Sequence, residues 1–308
     1  MVAFWAWSAL AARPSTDADL VQVRALLALP EEKVDLTRAK LTIDKMIDPK
    51  VDTAAAVAQL DAMASQVKAT FPKNASSRVR VEALRSFLYA EGLGKQPFQY
   101  DLRDPIGRNI QNKLLTTYLA TRRGNCISMP ILFILLGQRL GIDVTAATAP
   151  EHVFVKYRDE TGAWLNLETT SGAGITSDGW IQKNMPMTPQ ALANGLYMRP
   201  LSKRETVGVM LGTLMEWYRE QGDSAALLTV AQLLLARDPK DAIAMLSIGG
   251  AYALMYRDEF VSKYARPRDV PPLLLARYRE LEANMHFWRA KAEDLGWREP
   301  DEAEQALK

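Results

Sequence analysis

A strongly apolar segment followed by short strands constrains the fold of this chain most. Residues 126–140 (CISMPILFILLGQRL) predict an apolar helix that Gly141 ends. Three strand patterns follow at residues 142–148, 152–157 and 164–168, and the Asp, Glu and Gly within residues 158–163 predict a hairpin turn. A helix followed by neighbouring short strands favours an α+β fold with a short antiparallel sheet over a doubly wound one.

Helical patterns lie on both sides of this segment. Before it, helices are predicted at residues 19–48, 53–70, 77–92 and 110–121. After Thr170 three glycines predict a loop, and helices are predicted at residues 188–195, 203–220, 223–236, 241–257 and 271–295. Two helices, a break at Asp238-Pro239 and a third helix match the tetratricopeptide pattern. We therefore expect one domain over residues 19–200 and a tetratricopeptide-like helical domain over residues 201–300.

The N-terminus predicts export. Residues 2–12 (VAFWAWSALAA) are uncharged, apolar and too short to span a bilayer, and Ala9-Leu10-Ala11 fits a small-x-small cleavage site. Residues 1–12 are therefore interpreted as the remnant of a signal peptide, and the protein as exported or periplasmic. The usual basic residue before the apolar run is missing, so the alternative is a buried N-terminal segment of a cytoplasmic protein.

Composition excludes several classes of function. The net charge of +2 on 308 residues gives no electrostatic case for nucleic acid. A single cysteine excludes an intramolecular disulfide and a thiol-rich metal site. Neither a phosphate loop nor a dinucleotide-binding fingerprint after a strand is found, so we expect no cofactor and no metal.

Cys126 is the candidate nucleophile. At a helix start, partial positive charge favours the thiolate, and free backbone N–H groups can stabilise an oxyanion. The chain has two histidines, and His152, which opens a strand, is the candidate base. We interpret His286, on an amphipathic helix, as structural. The alternative for Cys126 is a small buried apolar residue.

A third group should orient the imidazole of His152. In the strand at residues 164–168 (WLNLE), alternation places Asn166 and Glu168 on one face, next to the strand of His152. Either side chain could take the orienting role, and Glu168 is the preferred candidate. Both could instead be polar residues that face solvent.

The order of these motifs resembles the transglutaminase-like superfamily, which has a papain-like core, and more narrowly its SirB-type branch with a C-terminal tetratricopeptide tail. The segments that carry the resemblance are TRRGNCISMP (121–130), LGQRLGI (136–142), APEHVFV (149–155), LNLETTSG (165–172) and YMRPLSK (197–203). The resemblance implies that Cys126 is the nucleophile and His152 the base. Glu168 stands where the superfamily usually has Asp, and Asn112 matches a polar position with a structural or oxyanion-side role.

The resemblance implies a thiol-dependent acyl-transfer enzyme that acts on a protein or peptide substrate, as a protease or amidase when water is the acceptor and as a transglutaminase when an amine is. The alternative is a catalytically degenerate scaffold that binds a partner protein through its tetratricopeptide helices. An active site predicts fast alkylation of Cys126 near neutral pH.

Overall fold

A computed structural model describes residues 17–91 and 96–299, so the predicted signal-peptide remnant at residues 1–12 lies outside the described residues. Five helices precede the central segment: α1 (Asp17–Ala28), α2 (Leu36–Ile47), α3 (Thr53–Lys68), α4 (Ser77–Tyr89) and α5 (Leu115–Thr121). The prediction of one helix over residues 19–48 is wrong, because Pro30 takes an extended conformation and Asp35 caps a new helix by accepting the N–H of Arg38. Residues 110–113 form a 3₁₀ turn ahead of α5.

The centre of the fold is one apolar helix against a small antiparallel sheet. Strand β1 (Gln99–Tyr100), which precedes α5, pairs in parallel with β2 (Arg123–Gly124), which lies just before α6 (Ser128–Arg139). A four-stranded sheet follows in the order β3 (Val144–Ala149), β4 (His152–Arg158), β5 (Trp164–Glu168) and β6 (Gly174–Thr176). The predicted α+β class with a short antiparallel sheet is confirmed.

The loop predicted after Thr170 is partly wrong. A 3₁₀ turn over Thr169–Ser171 leads into β6, whose Gly174 pairs with Glu168. The strand has only three residues and two glycines lie in or next to it, so it shows no alternation of apolar and polar side chains. The sequence therefore carries no signal for this edge strand. The consequence is that the end of β5, which carries Glu168, has a hydrogen-bonded neighbour on both sides.

Six helices complete the described chain: α7 (Asp178–Asn184), α8 (Pro189–Ala193), α9 (Lys203–Glu220), α10 (Ser224–Leu235), α11 (Ala242–Tyr256) and α12 (Leu275–Asp294). The helix predicted at residues 271–295 begins only at Leu275, because a 3₁₀ turn starts at Pro272. None of the helices within the described ranges combines the length and the apolar character that crossing a bilayer requires.

The two faces of the sheet pack against different layers. Val153, Val155 and Tyr157 of β4 join the main hydrophobic core with α6, whereas Phe154 packs with residues of α7 and α8. His152 shares the face of Phe154, because side chains alternate along a strand. The imidazole is therefore carried at the start of a strand that is fixed by packing on both sides.

A fully buried ion pair lies within helix α2. Lys40 and Asp44 of α2 are both 0% exposed, and the ammonium Nζ lies 2.6 Å from Asp44 Oδ1. Lys40 Nζ also donates to the carbonyl of Lys113 at 2.7 Å, and Asp44 Oδ2 accepts the N–H of Leu115 at 2.8 Å. The pair thus anchors the segment between the 3₁₀ turn and α5 to α2.

We predict that Lys40→Met lowers the free energy of unfolding by about 3–5 kcal/mol, because it leaves the Asp44 carboxylate unpaired in the core. Burial already raises the pKa of Asp44, and loss of the ammonium raises that pKa further. The measurement is urea unfolding, with Lys45→Met on the exposed side of the same helix as the control. The double variant Lys40→Met/Asp44→Asn should lose less, since it leaves no unpaired charge. Equal stability of the Lys40→Met and Lys45→Met variants would contradict the prediction.

Candidate active site

Cys126 lies in a tight turn between β2 and α6. The side-chain Oδ1 of Asn125 accepts the N–H groups of Ile127 at 3.0 Å and Ser128 at 3.4 Å. Because these N–H groups are bound by a side chain, the chain turns at Cys126 and the helix begins at Ser128. The predicted helix start at about Cys126 is therefore corrected by two residues: the thiol precedes the helix N-terminus and stays next to its partial positive charge.

Ser128 and Gly124 hold this turn in place. Ser128 Oγ donates to the carbonyl of Asn112 at 2.6 Å and accepts the N–H of Asn125 at 3.1 Å. A Cβ atom at Gly124 would lie 2.4 Å from Ser128 Oγ and 2.7 Å from the ring of Tyr118, so a side chain there forces a rearrangement. The backbone before Cys126 is thus fixed by a close approach that only glycine allows.

Asn112, for which the sequence left a structural or an oxyanion-side role open, has its amide engaged. Its Nδ2 donates to Asp101 Oδ2 at 3.3 Å and to Asp104 Oδ2 at 3.0 Å. The side chain is buried. With its carbonyl bound to Ser128 as well, Asn112 ties the loop after β1 to the turn of Cys126, which supports the structural role.

His152 faces the thiol from the turn between β3 and β4. The carbonyl of Glu151 lies 3.8 Å from Cys126 Sγ, and Glu151 has a φ of +54°. A left-handed conformation is uncommon for a residue with a side chain and costs about 1–3 kcal/mol. It reverses the chain so that the next residue, His152, begins β4 with its imidazole close enough to Cys126 for that thiol to raise its pKa.

Glu168, at the end of β5, holds the other side of the imidazole. His152 Nε2 lies 2.8 Å from Glu168 Oε2, and the two side chains are 11% and 4% exposed. Glu168 Oε1 accepts the N–H of Thr170 at 2.9 Å and its hydroxyl at 2.6 Å. Because Glu168 engages Nε2, Nδ1 is the ring nitrogen left for the Cys126 thiol.

Asn166 does not reach His152. Its Nδ2 donates to the carbonyl of Thr176 at 3.1 Å and to Asp178 Oδ1 at 2.6 Å. It therefore ties β5 to β6 and α7, although alternation places it on the same face as Glu168. His286 is exposed on α12. The structure thus brings together Cys126, His152 and Glu168 and leaves Asn166 and His286 out of the cluster.

The electrostatics of the cluster favour a charged imidazole. Burial lowers the pKa of His152, but hydrogen bonds to Cys126 and Glu168 and the negative charges of both raise it to about 9. Burial raises the pKa of Glu168, but its hydrogen bond to His152, the charge of His152 and the bonds from Thr170 bring it below the ordinary value. Around neutral pH the pair is therefore an imidazolium and a carboxylate.

One buried tyrosine lies near Glu168 and a second lies beside the first, and neither has a recognisable signal in the sequence. Burial raises the pKa of Tyr89, and the charge of Glu168 adds to this effect. Burial also raises the pKa of Tyr118, and the charge of the neighbouring Tyr89 adds to this effect. Their hydroxyls and that of Thr169 are buried without a hydrogen-bond partner among the residues that the structure describes. In sequence these residues match ordinary core positions, and only the fold brings Tyr89 close to Glu168.

Comparison with known families assigns the chain. A model of the transglutaminase-like superfamily matches residues 54–212, just over half of the chain. The chain belongs to the transglutaminase-like superfamily. The range that matches this superfamily includes Cys126, His152 and Glu168. Comparison with curated proteins found no match, and comparison with solved structures found none either. The predicted superfamily is confirmed, and the SirB-type branch and the tetratricopeptide tail stay predictions.

Among the described residues, no group of three or more His, Cys, Asp or Glu side chains is placed to hold a metal ion.

We predict that the imidazole of His152 titrates near pH 9 in the folded protein, above the ordinary value of 6.5. Glu168→Gln should lower this pKa, because it removes the negative charge that stabilises the imidazolium. The measurement is an NMR titration of the ring protons, in which His286→Gln assigns the two histidine signals. A His152 pKa at or below 6.5 in the unaltered protein, or one that Glu168→Gln leaves in place, would contradict the described pairing.

Proposed function

We propose that this protein is a thiol-dependent acyl-transfer enzyme that hydrolyses an amide or ester bond of a peptide or protein substrate. Cys126 is the nucleophile, His152 the general base and acid, and Glu168 the residue that orients the imidazole. The observation that carries the proposal is the 2.8 Å contact of His152 Nε2 with Glu168 Oε2, on an imidazole close enough to Cys126 for that thiol to raise its pKa. A thiol is activated when it lies next to a base and a third group on the other side of that base holds it in position.

The first half of the reaction follows from this arrangement. The reaction starts from an ion pair in which the thiol proton of Cys126 is already held on Nδ1 of the His152 imidazolium. The thiolate Sγ attacks the carbonyl carbon of the substrate to give a tetrahedral oxyanion. The N–H of Cys126 makes no hydrogen bond within the described part of the chain and is available to this oxyanion. The intermediate collapses as His152 returns the proton to the leaving amine or alcohol, and Cys126 keeps the acyl group.

The second half depends on the acceptor. Water, deprotonated by His152, attacks the thioester and releases the acid, so the enzyme is a protease or amidase. A primary amine that takes the place of water would give transglutamination. We propose hydrolysis as the main outcome, on the strength of the resemblance described above.

For the C-terminal helices we propose a tetratricopeptide-type tail over residues 201–300 that binds a partner protein, which places the chain in the SirB-type branch. Helix α9 packs on α10 and α10 on α11, in chain order, as stacked repeat helices do. Asp223 and Asp241 cap α10 and α11 right after short turns. Export to the periplasm is proposed from residues 1–12 alone.

We predict that iodoacetamide alkylates Cys126 near neutral pH faster than it alkylates N-acetylcysteine, because the imidazolium of His152 stabilises the thiolate. His152→Ala should slow the reaction by about tenfold or more. The matched control is His286→Ala, which removes the other histidine and should leave the rate unchanged. Alkylation as slow as that of a buried thiol would support the degenerate scaffold instead.

We predict that Glu168→Ala lowers kcat/KM for p-nitrophenyl acetate by about 10²-fold or more, because the imidazole loses its orienting carboxylate. Asn166→Ala, on the same strand and face, should change kcat/KM by less than about threefold when rates are corrected for the folded fraction. The measurement is steady-state hydrolysis of the ester. A loss in Asn166→Ala as large as that in Glu168→Ala would overturn the assignment of the orienting group.

A further inference from the structure

The loop after β1 exposes two large apolar side chains. We name residues 101–108 the β1 loop; in it Leu102 is 80% and Ile106 69% exposed. A scattered apolar side chain on a surface needs no explanation, but a pair on one short loop beside a nucleophile has a consequence for binding.

The β1 loop lies directly against the turn of Cys126. The N–H of Asp101 donates to the carbonyl of Gly124 at 2.9 Å, and a Cβ atom at Gly107 would lie 3.4 Å from Asn125 Nδ2. Burial raises the pKa of Tyr100, and the charge of Cys126 adds to this effect, so the ring that precedes the loop is close to the thiol. The loop therefore borders the turn at which an acyl donor would meet Cys126.

Hydrogen bonds hold the β1 loop in one conformation. Asp104 Oδ1 accepts the N–H of Arg108 at 2.8 Å, and Asp104 Oδ2 accepts the N–H of Asn109 at 3.0 Å. The hydroxyl of Tyr100 donates to the carbonyl of Pro105 at 3.1 Å. The loop is therefore preorganised, and a ligand that covers its apolar side chains does not have to order it first.

The carboxylates of the β1 loop are engaged within the loop or with its neighbours, whereas the side chains of Arg103 and Arg108 are exposed. Asp101 pairs with Arg103 at 3.0 Å, and both Asp101 and Asp104 accept the amide of Asn112. The carboxylates are thereby turned toward Arg103 and Asn112, whereas Leu102 and Ile106 are left in water. The loop thus offers an incoming substrate the apolar area of Leu102 and Ile106, beside the exposed Arg103 and Arg108.

We propose that Leu102 and Ile106 form a specificity surface that selects an apolar side chain on the acyl donor, close to its scissile carbonyl. The proposal rests on the proposed function, because it takes Cys126 as the nucleophile. Burying apolar area between substrate and loop stabilises the bound state without taking part in the chemistry. The substrate class is therefore a peptide or protein with an aliphatic residue next to the bond that is cleaved.

The test compares two thiol reagents that differ in apolar area, iodoacetamide and N-hexyl iodoacetamide. The second-order rate constant for Cys126 with each reagent is divided by that for N-acetylcysteine, which removes the difference in intrinsic reactivity. The expected result is a normalised rate about tenfold higher for the hexyl reagent, the effect of burying a few methylene groups. In the double variant Leu102→Ser/Ile106→Ser this preference falls to near one, while the rate with iodoacetamide is unchanged.

The matched control is Val261→Ser/Leu273→Ser, which replaces two exposed apolar side chains between α11 and α12, 58% and 90% exposed. It should keep the full preference for the hexyl reagent. Fast alkylation of Cys126 without this preference, or a preference that survives in Leu102→Ser/Ile106→Ser, overturns the specificity surface and leaves the proposed function standing. Slow alkylation by both reagents overturns the proposed function, and the specificity surface with it.

Discussion

The buried hydrogen bond between His152 Nε2 and Glu168 Oε2 is the interaction on which the candidate site depends. Hydrogen bonds between ionised partners are stronger than neutral ones, and here both side chains are largely removed from water. The bond fixes the plane of the imidazole and directs its other nitrogen toward Cys126. Glu168 is itself fixed, since the N–H and hydroxyl of Thr170 occupy its second oxygen. Without this carboxylate, a lone thiol and a lone histidine would have no fixed geometry.

A chain of buried polar contacts sets the position of the nucleophile relative to this pair. The Lys40–Asp44 ion pair holds the carbonyl of Lys113 and the N–H of Leu115, and the neighbouring Asn112 carbonyl accepts Ser128 Oγ at the start of α6. The turn of Cys126 is therefore linked to helix α2, far along the chain. A buried ion pair adds little net stability, but its directional contacts fix which backbone groups meet. This explains why such a costly pair can serve a site that it does not touch.

The sequence predicted those parts of the fold that depend on local pattern. The alternation in residues 152–157 and 164–168 yielded strands β4 and β5, and with them the neighbourhood of His152 and Glu168. The alternation alone could not decide whether Glu168 or Asn166 orients His152. That outcome depends on β6 and α7, where Asp178 binds the amide of Asn166. Tyr89 beside Glu168 is set by long-range packing for which a single sequence has no signal.

The central claim is that Cys126 becomes acylated with the help of His152. The most direct measurement is mass spectrometry of the intact protein and its peptides, quenched in acid early in the reaction with p-nitrophenyl acetate. The account predicts a rapid burst of nitrophenolate and one acetyl group on Cys126, with no burst in Cys126→Ala and a much slower one in His152→Ala. No acetyl group on Cys126, or a burst that is equally fast in His152→Ala, would contradict it.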